Sequence, residues 1–154
     1  MSAAAPAPGS RGWQGGWRDG LAYGGLGLPL AFVALPLYVV LPAHYATAYG
    51  VPLAALGAVL LGARLLDAFV DPFIGRWADA LFGRSVRSAW VALAAASLLV
   101  AAGLHALFHP AVEAGASLLW WCAVGLAVTY VGFSVAAVIH QAWGARLGGD
   151  EAQR

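Results

Sequence analysis

Residues 63–79 read ARLLDAFVDPFIGRWAD, and the chain around them is almost wholly apolar. Three charged side chains interrupt that run: Arg64, Asp67 and Asp71. At about 100° per residue on a helix, these three positions fall within an arc of about 60°. They are predicted to point the same way. Pro72 lacks an N–H, so the carbonyl four residues back, at Ala68, loses its helical donor. Two carboxylates, one free carbonyl oxygen and a neighbouring guanidinium form a patch suited to a small cation. Hard oxygen ligands suit sodium, and a carboxyl group withdrawn from water holds a proton more readily. The coupling ion is therefore read as Na+ or H+. A buried Arg64–Asp67 salt bridge that only holds helices together is the other reading. It is the weaker one, because buried ion pairs stabilise less than apolar packing does.

The elements that position these groups follow from hydropathy. The chain has 154 residues, of which 62% are hydrophobic and 10% charged, and a mean hydropathy of +0.77. Soluble domains carry about 25% charged residues, so lipid is the expected solvent. Four apolar segments are predicted to be membrane-spanning helices: about Leu21–Tyr45, Leu53–Trp77, Ser88–Phe108 and Ala116–Trp143. Each is long enough for a hydrocarbon core of about 30 Å. The run from Leu21 is a full span, longer than the h-region of a signal peptide. Gly50 and Pro52, then Gly83, then His109, Pro110 and Glu113 mark the breaks. Residues 1–20, rich in Ala, Pro, Gly and Ser, read as a disordered tail. Residues 21–145 form the four-helix region, and 146–154 a short terminal segment. The second helix, centred on Leu65, puts Arg64 and Asp67 near mid-membrane. Charge there costs about 2.5–3.5 kcal/mol per group, so the three side chains must face a cavity or a protein interior.

Orientation comes from arginine. Arg11 and Arg18 precede the first helix, Arg76, Arg84 and Arg87 sit at or between the facing ends of the second and third, and Arg146 and Arg154 follow the fourth. The other two connections hold no Lys or Arg. The positive-inside rule puts both termini in the cytoplasm, in agreement with an even number of spans. Most of the tryptophans lie near helix ends, where interfacial aromatics belong.

The remaining residues exclude other classes of function. A net charge of +1 gives no case for nucleic acid. Cys122, the single cysteine, excludes an intrachain disulfide, and no metal-ligand spacing is present. There is no HExxH, no Gly-rich phosphate loop and no recognisable nucleophile–histidine arrangement, so the chain is not read as an enzyme. Thr129, Tyr130, Ser134, His140 and Gln141 are the main polar residues of the fourth helix. Small residues, among them Gly20, Gly24, Gly57, Gly62, Ala92, Ala96, Gly132 and Ala136, allow close helix approach without naming a partner.

The charged stretch resembles the second helix of the glycoside–pentoside–hexuronide:cation symporters, the melibiose permease-like branch of the major facilitator superfamily. The matching residues are Arg64, Asp67, Asp71-Pro72 and Gly75. The stretch GRWADALFGRSVR resembles the superfamily's helix 2–3 loop signature, through Gly75, Asp79, Gly83 and Arg84. The resemblance implies helices 1–4 of a twelve-helix fold. It implies that Asp67 and Asp71 bind the coupling cation, and that Arg64 belongs to the polar core beside the solute. It implies a hydroxyl on the fourth helix that assists the cation, for which Ser134 is the nearest match. It makes Gly75, Asp79, Gly83 and Arg84 part of a gating loop. The carboxylates that would contact a galactoside are replaced by Pro29 and Ala137. Cation coupling is thus better supported than any one sugar, and no cofactor beyond the coupling ion is implied.

A twelve-helix transporter binds solute between two six-helix halves. Four helices are fewer than one half, so this chain is expected to be an N-terminal fragment of a cation-coupled symporter for a sugar or another small solute, inactive alone. Its expected surroundings are the lipid of a bacterial inner membrane, a solute and a coupling cation. The alternative is a self-sufficient four-helix membrane protein, such as a dimeric exporter or a structural partner.

Overall fold

The computed structural model describes residues 17–112 and 114–145. The expected tail up to residue 16, Glu113 and the segment 146–154 lie outside the described residues. All regular structure among the described residues is helical. Helix α1 spans Trp17–Leu35, a π-helical turn spans Pro36–Val40, and α2 spans Leu41–Ala48. These run on as one rod. Helices α3 (Leu53–Arg84), α4 (Val86–Phe108) and α5 (Gly115–Gly144) complete the fold. Four helical stretches among the described residues are long and apolar enough to cross a membrane, as hydropathy predicts.

The helix ends differ from the expected ones in ways that have local causes. The first rod begins at Trp17, inside the stretch expected to be tail. Pro36 opens the π turn, and the backbone N–H of Leu41 donates to the Pro36 carbonyl five residues back. The widened turn lies between Pro36 and Pro42, and Pro42 has no N–H to give the Tyr38 carbonyl an ordinary helical bond. Gly83 does not break the chain: α3 continues to Arg84. The break falls at Ser85, whose side chain accepts from the Ser88 backbone N–H at 3.1 Å and caps α4. A single glycine near a helix end costs only about 1 kcal/mol, whereas a serine N-cap gives the next helix a defined start. At 1.5 Å per residue the 32-residue α3 is about 48 Å long, more than a hydrocarbon core needs.

Helix α5 is the centre of the packing and touches α1, α3 and α4. One core joins Leu37, Leu41 and Tyr45 of the first rod to Leu56 and Ala63, Leu107, and Leu118, Cys122, Leu126 and Tyr130 of α5. A second, toward the α3–α4 turn, joins Ala78, Ala89, Leu93, Ala96, Ala136 and Ile139. In lipid, apolar side chains gain nothing from leaving the solvent, so close approach decides which helices pair. The α4–α5 seam shows how. A Cβ on Gly103 would overlap Thr129 Oγ1, and one on Gly132 would lie 3.1 Å from Val100 Cγ2. By contrast Gly20, Gly24, Gly57 and Gly62 have open space around them.

The first rod is tied to α4 by the buried Tyr45 hydroxyl, which donates to the Leu107 carbonyl at 2.9 Å. Tyr45→Phe removes that bond and keeps the ring. It is expected to lower stability by about 0.6–1.5 kcal/mol, read as the shift in thermal unfolding in detergent.

Candidate functional site

Helix α3 buries Leu56, Ala63, Asp67, Ile74 and Ala78. Asp67 lies in the middle of this stripe, which packs against α5. Arg64 lies about 60° from Asp67 round the helix, and Asp71 about 40°. That rotation separates the three charged groups. Asp67 is buried at 7% exposure, while Arg64 and Asp71 are exposed on the open shoulder. The expectation that all three share one direction is thus corrected. The 60° arc is real, but the interface with α5 covers only its edge. Asp71 is exposed and makes no hydrogen bond or ion pair with the described residues.

Around Asp67 the polar contacts are short and few. Ser134 Oγ of α5 donates to Asp67 Oδ1 at 2.6 Å, joining residues 67 positions apart. Arg64 Nη1 donates to Asp67 Oδ2 at 3.3 Å, one turn away. The guanidinium carbon of Arg64 lies 4.4 Å from the Tyr38 ring centroid and 5.4 Å from that of Tyr130. Tyr38 comes from the π turn and Tyr130 from α5, one helical turn before Ser134. The two rings are 5.9 Å apart, tilted by 35°. Three elements thus converge on one carboxylate: α3 supplies it, α5 donates a hydroxyl to it, and the π turn and α5 hold its arginine between aromatic faces.

Of the residues expected to form the site, the structure brings Asp67, Ser134 and Arg64 together and leaves Asp71 apart from them. The loop group is corrected in form. Gly75, Asp79, Gly83 and Arg84 all lie within α3, because the only interruption before α4 is Ser85. Tyr38 and Tyr130 complete the cluster, and sequence reasoning gave neither of them a role. For Tyr130 the spacing to Ser134 was the available signal; for Tyr38 there was none, since its placement depends on the π turn. No group of three or more His, Cys, Asp or Glu able to hold a metal occurs among the described residues.

His140 closes the other end of the α1–α5 contact. Its ring stacks on Tyr23 at 4.2 Å, with Nε2 3.0 Å from the Tyr23 carbonyl. It lies apart from the Asp67 cluster, about a turn and a half beyond Ser134 on α5.

Ser134→Ala strips Asp67 Oδ1 of its donor and leaves a buried carboxylate oxygen unmet. The expected cost is about 1–3 kcal/mol, measured as loss of thermal stability. Ser134→Thr, which keeps the hydroxyl, is expected to retain most of it.

A bundle of apolar spanning helices, with one buried carboxylate held by a serine and an arginine, defines an integral, multi-pass all-α membrane protein with a polar site inside its helical core. The family model for MFS/sugar transport protein matches residues 20–154, and the chain belongs to that family of transporters in the major facilitator superfamily. No curated protein and no solved structure matches the chain.

Proposed function

We propose that this chain forms the cation-binding part of a cation-coupled symporter for a sugar or another small solute. The observation that carries the reading is Asp67: a carboxylate buried at 7% exposure, on a helix apolar enough to span a membrane, bonded to a hydroxyl and an arginine. Ionisable groups in spanning helices are costly and belong by default to ion or solute pathways. Two oxygens of Asp67 and the Ser134 hydroxyl offer hard ligands to sodium, or a place for a proton. Asp71 lies one turn further along the open shoulder of α3, where a second carboxylate could receive the ion on its way in or out. The motif from Arg64 to Gly75 supports the glycoside–pentoside–hexuronide branch.

In a two-half transporter the solute lies between halves. The exposed shoulder bearing Arg64 and Asp71 is the face of this unit suited to meet it. Arg84 and Arg87 at the turn between α3 and α4, with Arg76 two turns before it on α3, support a cytoplasmic position for that turn in a bacterial inner membrane.

Calorimetric titration of the purified chain with sodium, repeated at several pH values, tests the reading. One saturable site at which protons and sodium compete is the expected result. Absence of any saturable site for either ion overturns it.

A further inference from the structure

The Arg64–Asp67 pair is a poor ion pair. It is one contact of 3.3 Å between residues at i and i+3, not a bidentate fork, and the arginine side chain is 49% exposed. A single contact of this length, without the second parallel bond of a fork, positions a guanidinium weakly. Yet the guanidinium is held in place, because two aromatic faces lie within about 6 Å of it, the range of a cation–π contact. The placement of Tyr38 depends on a π turn, a feature that often marks functional positions. Tyr130 is buried at 1% exposure, and the face of its ring lies 5.4 Å from the Arg64 guanidinium carbon.

We propose that Arg64 is a tethered rival of the coupling cation, and that the rings of Tyr38 and Tyr130 hold it against Asp67 and so set how tightly the cation binds. This rests on the reading of Asp67 as the cation ligand. Arginine cannot release its proton in a protein, so it is a permanent charge that the incoming ion must push aside. Its exposed flank gives it room to move onto the open shoulder of α3 without disturbing the α3–α5 contact. Tyr38 and Tyr130 are positioning residues that act through Arg64, not ligands of the ion.

The test compares sodium affinity, by calorimetric titration with sodium chloride at constant ionic strength, in a small set of variants of the full chain. Removing both rings, in Tyr38→Leu with Tyr130→Leu, is expected to tighten sodium binding about tenfold, since two cation–π contacts of about 0.5–1 kcal/mol each no longer favour the rival. Tyr38→Phe with Tyr130→Phe keeps both faces and is expected to match the unaltered protein. Arg64→Lys keeps the charge but not the planar stacking surface, and is also expected to tighten binding, which supplies a readout if the leucine pair does not fold. In an Arg64→Gln background the leucine pair should no longer change affinity. Unchanged or weaker binding in the leucine pair and in Arg64→Lys overturns the inference, as does the lack of sodium binding in every variant. Asp67→Asn separates the two levels. If it leaves sodium affinity intact, the cation-site reading has failed. If it abolishes binding while the ring and arginine variants behave like the unaltered protein, only the rivalry has failed.

Discussion

Asp67→Asn is expected to reduce cation affinity at least a hundredfold while leaving the helical fold intact. The two side chains are nearly isosteric. The amide oxygen of asparagine can still accept from Ser134 Oγ, so the α3–α5 bond survives in form. Arg64 loses its charged partner, but with its side chain 49% exposed it is not stranded in an apolar interior. What disappears is the negative charge that a cation would neutralise. Two unit charges about 4 Å apart at an effective dielectric constant of about 20 interact by about 4 kcal/mol, close to a thousandfold in affinity. Sodium titration reads the loss, and circular dichroism checks that helix content is retained. Asp71→Asn should have a smaller effect on the same measurement. Its carboxylate is exposed and makes no hydrogen bond or ion pair with the described residues, so a cation there lacks the hydroxyl that Ser134 provides beside Asp67. The opposite ranking would move the centre of the site one turn along α3.

The second large effect concerns the fold. Gly103→Val is expected to disrupt the α4–α5 seam. Even the single Cβ of alanine would overlap Thr129 Oγ1 and come within 3.1 Å of Thr129 Cβ. Thr129 cannot easily turn away, because it is fully buried and its hydroxyl donates to the Gly125 carbonyl at 2.7 Å. Overpacking of this kind costs about 1–3 kcal/mol for Gly103→Ala, and more for the branched side chain. Thermal unfolding in detergent measures it. Because the clash is with one hydroxyl, Gly103→Ala combined with Thr129→Ala should recover much of the loss, a coupling that a double-mutant cycle isolates. Gly57→Ala and Gly62→Ala provide the contrast. Nothing lies within 4 Å of a Cβ there, so the better helix former should be neutral or stabilise by up to about 1 kcal/mol.

The two sets of glycines are indistinguishable as letters in the chain. Gly57 and Gly62 read as small residues fit for close approach, as did Gly132 and Ala136, yet of these four only the two on α5 pack against a neighbour. The seam residue with the tightest contact, Gly103, stands alone in its stretch. Close approach belongs to a pair of helices, and the register between them is set by everything else they touch.

The sequence by itself determined the four spans, the all-α class, and the presence of a carboxylate–arginine pair at membrane depth. These are local properties: apolar length fixes a span, and a spacing of three puts Arg64 beside Asp67 on any helix. Spacing defines an arc of the helix but not the direction in which a neighbour lies. Only the tertiary structure decided that Asp67 turns into α5 while Asp71 and Arg64 stay on the shoulder. It alone brought Ser134 from 67 residues away to within 2.6 Å of the buried carboxylate, and Tyr38 to the arginine through a π turn at Pro36. A rotation of about 40–60° separates a buried charge from an exposed one, and that rotation is settled by where α5 packs.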